Sequence, residues 1–261
     1  MSNNAPKSKK VKTNQLVAAA LFIALSLAVK PFEVYLLPVA RVNFVGVPII
    51  MSGIILGPVW GAAVGLIADV LGFILMDKSG ATMNVILTLS SVMMGVIPGL
   101  IFHTRAAKKV KRRTYAVLDG VCYVLLLILG AVLMLTEGSL KLEAGAVYVL
   151  SPSSGAWSNV PWAYVVIILA GFLLYSIAMV LILKKKDSTE ESATTDAAIL
   201  FSVTAVTIIS DIILSGLGLA ILYSWPMSLM MIVRIIKGFV IIPVYTILCR
   251  IIYRAAGRFK F

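Results

Sequence analysis

Acidic residues are scarce in this chain: 11 Asp and Glu stand against 23 Lys and Arg, with one histidine and two cysteines. Cys122 and Cys249 lack any Cys-x-x-Cys spacing, which leaves no basis for a disulfide framework or a cysteine metal site. His103 stands alone beside a basic loop, and the sequence supplies no partners for a metal or catalytic role. No GxxxxGK[ST], HExxH or GxSxG occurs. Uphill transport by ATP hydrolysis would therefore need another chain to hydrolyse the ATP. An intramembrane enzyme lacks a nucleophile and base at workable spacing.

What the chain does have is apolar sequence. It is 61% hydrophobic with a mean hydropathy of +1.03, in several runs near the roughly 20 residues that a helix needs to cross a hydrocarbon core of about 30 Å. Such runs read as helices, which satisfy their own backbone hydrogen bonds in lipid, and argue against a transmembrane barrel. Spans are expected at Gln15–Val29, Asn43–Leu56, Val59–Met76, Met83–Phe102, Tyr115–Leu135, Trp162–Leu183, Ala198–Tyr223 and Met227–Ile252.

The net charge of +12 could point to nucleic acid, but its placement points to topology. Of the 23 basic residues, 17 fall in four clusters: Lys7–Lys12, Arg105–Arg113, Lys184–Lys186 and Arg250–Lys260. Each abuts a span, as in the positive-inside pattern, and an even number of expected crossings separates consecutive clusters. The reading is a multi-pass protein of the cell membrane with both termini cytoplasmic, anionic lipid as neighbour and no nucleic-acid partner. The first span, which runs into Lys30-Pro31 without a small-residue cleavage site, is expected to be retained. The stretch from Thr136 to Asn159 reads as a long outer loop, and residues 187–197 as a solvated cytoplasmic linker.

Small residues recur at helical spacing. Gly53, Gly57, Gly61 and Gly65 are divided by Pro58, which places two close-packing patches on consecutive helices. Ala20, Ala24 and Ala28 form a smooth stripe on the first span, a pattern that ordinary helix packing also produces.

Asp69, Asp211, Arg234 and Lys237 lie inside expected spans, where each ionised group costs roughly 2.5 to 3.5 kcal/mol. Arg234 and Lys237, three apart, share a face in the outer half of the membrane, as does Asp69 by depth. Pairing with Asp69 would offset the cost, and so would convergence on a ligand. Two cations against one acid leave a positive surplus that suits a carboxylate or phosphate. Arg41, in the outer loop before the second span, is either a donor at the mouth of such a site or a snorkelling interfacial residue. Phe44 and Trp225 are candidates for stacking on a planar ligand, although aromatics at span ends also belong to the interfacial belt.

The segment "RVNFVGVPIIMSGIILGPVWGAAVGLIADVLGF" resembles the signature of the folate-type substrate-binding S components of energy-coupling factor (ECF) transporters. "SWPMSLMMIVRIIKGFVIIPVYTIL" is similar to the last helix of that family, with its Arg-x-x-Lys and following Pro, and "GATMNVILTLSSVMMGVIPGLIF" is a looser match. The resemblance covers about Gln15–His103 and Ala198–Ile252. It implies an all-α integral membrane protein that binds a vitamin at its outer side and docks on one transmembrane coupling protein and two ATPases, ATP being used by those subunits and no cofactor or metal by this chain. It further implies that the Ala20, Ala24, Ala28 stripe contacts the coupling protein.

Three differences from the family pattern stand out. Gly238 replaces the Asn that commonly follows Arg-x-x-Lys, Ser210-Asp211 replaces an Asn-Thr pair, and residues 105–186 read as a basic loop with an inserted two-helix hairpin. The expected architecture is a basic N-terminus (1–14), core helices (15–104), the insertion (105–186), the linker (187–197) and the last two core helices with a basic tail (198–261), about eight spans on a six-helix core. The ligand class is folate or a related vitamin, a precursor or a nucleobase-like compound, with Arg41, Asp69, Arg234, Lys237, Phe44 and Trp225 as the expected binding residues. The rival reading is a stand-alone proton-coupled secondary transporter that uses Asp69 or Asp211 as its proton site.

Overall fold

The computed structural model describes residues 13–35, 41–76, 83–104, 110–136, 140–143, 146–150, 157–159, 173, 177, 190–223 and 227–256. Helix α1 (Thr13–Val29) leads through a hairpin of β1 (Glu33–Tyr35) and β2 (Arg41–Asn43) into α2 (Gly46–Leu56) and α3 (Pro58–Met76). Helices α4 (Val85–His103) and α5 (Arg112–Thr136) follow. A meander of β3 (Leu140–Glu143), β4 (Ala146–Leu150) and β5 (Trp157–Asn159) comes next. Helix α6 (Glu190–Val206) continues through a π-helical stretch, Thr207–Leu214, into α7 (Ser215–Tyr223), and α8 (Met227–Ala256) ends the described chain. Of the expected sixth span, Trp162–Leu183, only residues 173 and 177 are described, both helical.

Four helical stretches among the described residues, Pro58–Leu75, Val85–His103, Thr194–Leu222 and Val233–Ala256, are long and apolar enough to cross a membrane. Their outward faces carry large apolar side chains such as Val59, Ile74 and Val85. Several buried hydroxyls, here and on α1, bond within their own helices: Ser26 donates to Phe22 O at 2.8 Å, Ser202 to Ala198 O at 2.7 Å and Thr246 to Ile242 O at 2.7 Å. A small hydroxyl bonded four residues back occupies little room and meets its own polar requirement in a dry interior.

Two expectations are corrected. The second expected span, Asn43–Leu56, yields an 11-residue helix, about 16 Å long at 1.5 Å per residue, which is half a hydrocarbon thickness. The candidate membrane spans are all helical, as expected, and short strands occur at two connections. Arg41 pairs across the first hairpin with Tyr35, and the expected loop Thr136–Asn159 contains the β3–β4–β5 sheet, whose "AVYVL" strand is rich in β-branched and aromatic residues. The stretch 187–197 enters helix at Glu190, where acidic residues suit the positive end of the helix dipole. Asp196 is buried there and takes Arg250 Nη2 at 2.6 Å and Arg254 Nη2 at 2.9 Å from α8, which fixes α6 to α8.

The glycines divided by Pro58 meet one partner, α4. Gly57 ends α2 at φ 99°, a conformation that only glycine adopts freely, and Pro58 starts α3 where its missing N–H costs nothing. The chain thereby folds back, and Gly53 and Gly61 face Gly95 of α4 together. A Cβ on Gly61 would stand 2.5 Å from Gly95 O and 2.8 Å from Gly53 Cα. The Ala20, Ala24, Ala28 stripe lies on the exposed side of α1, while Ala18, Ala19, Phe22 and Ser26 form its buried side. Helix α5 presents Tyr115, Asp119, Tyr123 and Leu126 inward, with the Tyr115 ring 5.8 Å from Phe201 and the Tyr123 ring 5.5 Å from Phe239.

Because both atoms that a Gly61 Cβ would strike are backbone, Gly61→Leu is expected to destabilise the protein by about 3 kcal/mol, at the upper end of over-packing costs, whereas Val59→Leu on the outward face stays within about 0.5 kcal/mol. Thermal unfolding of the two variants in one detergent measures the difference.

Candidate functional site

The stretch Thr207–Leu214, "TIISDIIL", winds as a π-helix, with the Ser215 N–H bonded to Ser210 O. The wider turn leaves main-chain carbonyls open to side-chain donors, and π-helical turns concentrate at functional sites. Ser90 of α4 donates to Ser210 O at 2.8 Å, and Arg234 Nη1 of α8 donates to Asp211 O at 2.8 Å. Ser90 Oγ also lies 2.9 Å from Ser210 Oγ and 2.8 Å from Ser215 Oγ, while Ser210 Oγ donates back to Ser90 O at 2.5 Å. Each of the three hydroxyls thus has a partner within the cluster, so the π-helical stretch is fixed to α4 by buried bonds.

That fixation places the Asp211 carboxylate against α8. Arg234 Nη1 bonds Asp211 Oδ1, and Lys237 Nζ donates to Oδ1 at 3.0 Å and stands in ion-pair contact with Oδ2 at 2.9 Å. All three side chains are 12% exposed. Arg234 and Lys237 therefore come together as their spacing implied, but their partner is Asp211. Asp69 of α3 accepts instead from Ser91 of α4 at 3.1 Å. Pairing with Asp69, one of the two alternatives the spacing left open, is not what the structure shows, for a packing reason: α3 rests on α1, α2 and α4, while α8 rests on α6, the π-helical stretch, α7, α2 and α5.

Two of the sequence differences noted above prove to be neighbours. A Cβ on Gly238 would lie 3.2 Å from the Thr207 methyl and 4.0 Å from Ile212 Cδ1. Glycine at 238 thus lets the π-helical stretch approach α8, and the same stretch delivers Asp211 to the two cations. The β1–β2 hairpin is tied to this helix as well. Tyr245, two turns beyond Lys237, donates its hydroxyl to Asn43 O, and its ring covers the start of α2, where a Gly46 Cβ would stand 2.8 Å from Tyr245 Cε2.

Arg41 lies in β2 of that hairpin, its side chain being outside the described residues. Phe44 is half-buried and packs on the main core, and Trp60 does the same. Trp225 lies outside the described residues. Lys30, at the end of α1, lays its Nζ 2.5 Å from where a Gly72 Cβ would be, one turn from Asp69 on α3. Sequence reasoning missed the partnership of Asp211, the Ser90–Ser210–Ser215 cluster, and Asp119, a fully buried carboxylate within the expected fifth span. Among the described residues no cluster of three or more His, Cys, Asp or Glu has metal-binding geometry.

A family model described as "ECF transporter, substrate-specific component" matches residues 14–183, more than half of the chain. The chain belongs to the ECF transporter substrate-specific component family. It is a transport component of a multi-pass membrane protein family. The matched range includes residues 105–183, read above as an insertion, and stops short of the Asp211–Arg234–Lys237 cluster. The chain is also similar to a protein named Folate transporter FolT from Clostridium novyi (strain NT), at 32% identity over 106 residues. That alignment covers 41% of this chain and 60% of the relative, so the chain spans less than two thirds of the curated relative it matches.

Replacing Ser90 with Ala removes the donor to Ser210 O and the partner of two buried hydroxyls, and is expected to cost about 2 kcal/mol. Chemical denaturation in detergent checks this; a cost near that of a lipid-facing substitution would contradict the closed hydroxyl cluster.

Proposed function

We propose that this chain is the substrate-capturing subunit of an ECF-type importer and takes up folate or a related vitamin-like anion from the outer side of the membrane. The observation that carries the reading is the Asp211–Arg234–Lys237 cluster: two cations against one carboxylate, nearly buried between α6 and α8, in a chain of the substrate-specific component family. A surplus positive charge in a poorly hydrated place is costly unless an anion accompanies it. The relative named as a folate transporter supplies the substrate class. Arg41 contributes from the hairpin, Phe44 from just before α2 and Asp69 from α3, and Trp225 from the residues that precede α8 in the sequence. The bond from Tyr245 to Asn43 O ties the hairpin end to the cluster's helix, which supports reading that hairpin as the cover of the site.

The chain crosses the membrane about eight times with both termini cytoplasmic, following the basic clusters. The exposed Ala20, Ala24, Ala28 face of α1 is the surface offered to a transmembrane coupling protein, with two ATPase subunits supplying the energy. Smooth small-residue faces allow helix backbones to approach closely in lipid. Rocking of the whole subunit within that assembly then carries the ligand across.

The test is folate binding by the purified full chain in detergent. Arg234→Gln is expected to weaken it by about a hundredfold, the cost of losing a buried charged contact. Unchanged affinity would remove the cluster from the binding site. Uptake into liposomes is expected only when the coupling protein, the ATPases and ATP are present. Uptake by the chain alone under a proton gradient would instead favour the secondary-transporter reading.

A further inference from the structure

Arg234 and Lys237 do not meet Asp211 in the same way. Lys237 Nζ sits between both carboxylate oxygens, at 2.9 and 3.0 Å, so its charge is directed at the carboxylate as a whole. Arg234 reaches Asp211 only through Nη1, which bonds both the main-chain oxygen and Oδ1. Its Nε and Nη2 make no hydrogen bond to any described residue. Those two N–H groups form one edge of the planar guanidinium, the edge that matches a carboxylate in a two-bond contact. Anchoring Nη1 at two points fixes the plane of the group and hence the direction of the free edge.

Counting charges within the cluster gives the same division. The carboxylate cancels one of the two cations that touch it: the contacts of Lys237 among the described residues all go to the two carboxylate oxygens, whereas Arg234 meets only Oδ1 and the main chain. The cluster is then a neutral Asp211–Lys237 pair that supports one uncompensated arginine. Resting on the anion-capture reading above, we infer that Arg234 alone contacts the ligand's anionic group, through Nε and Nη2, while Asp211 and Lys237 act as a mutually neutralising pair of positioning residues that leaves one net positive charge to meet one carboxylate of the ligand. Lys237 thereby sets the electrostatics of the site without touching the ligand, and Asp211 holds the arginine by its Nη1.

A charge-rescue cycle tests this, with folate as the probe and the full chain in detergent. Lys237→Met leaves the Asp211 carboxylate uncompensated beside the ligand's anion and is expected to weaken folate binding by about tenfold or more. Adding Asp211→Asn restores the charge balance while keeping an acceptor for Arg234 Nη1, and is expected to bring affinity back to within about threefold of the wild type. A double variant as weak as Lys237→Met, or weaker, overturns the inference, because Lys237 then contacts the ligand itself. A Lys237→Met protein that binds as tightly as the wild type overturns it too. Lys237→Gln, alone and with Asp211→Asn, repeats the cycle where methionine prevents folding. Arg234→Gln separates the two levels: full affinity there sinks the site altogether, whereas lost affinity without rescue in the cycle sinks only the division of roles.

Discussion

A carboxylate shared by two cations between two membrane helices is the constraint on which the rest of this structure turns. Each of these charges, alone in a dry environment, carries a penalty of several kcal/mol, which their mutual attraction repays only with good geometry and further hydrogen bonds. Arg234 anchors at the carboxylate and main chain of Asp211, and Lys237 donates to Oδ1 and lies in ion-pair contact with Oδ2. The cluster keeps a positive excess, and under the proposed function the ligand's anion would balance it, joining the contact between the π-helical stretch and α8 to ligand capture.

The surrounding features serve that placement. The π-helical stretch turns Asp211 toward α8 and opens the carbonyls that receive Ser90 and Arg234. Gly238 allows the approach, and the glycine contacts among α2, α3 and α4 hold α4 where Ser90 can reach the stretch. Within α6, some 15 residues earlier in the chain, Asp196 makes a second carboxylate contact to two arginines of α8. The continuous helical run of α6 and the π-helical stretch is thus joined to α8 by ion pairs at two levels, one near the basic C-terminal cluster and one at the candidate site.

Much of the fold was legible in the sequence because long apolar runs have few alternatives in lipid. The helices at Thr13–Val29, Pro58–Met76, Val85–His103 and Met227–Ala256 lie close to the runs expected from hydropathy. The Gly57-Pro58 break also follows from local chemistry. The limits were tertiary. "TIISDIIL" carries no local mark of a π-helix; its widening reflects bonds to Ser90 and Arg234, residues 120 and 23 positions away in the chain. The choice between Asp69 and Asp211 as partner depends on which helices are neighbours, and depth alone could not decide it. Gly95 and Gly99 did carry a signal, since two glycines four apart on α4 complement those on α2 and α3. The strand in "AVYVL" was hidden by the polar residues around it.

The most direct measurement is an experimental structure of the full chain in a lipid nanodisc with folate bound. The account requires an anionic group of the ligand within hydrogen-bonding distance, about 3 Å, of Arg234 Nε and Nη2, with Lys237 still paired with Asp211. A ligand seated elsewhere, or one whose anion has drawn Lys237 away from Asp211, would contradict it.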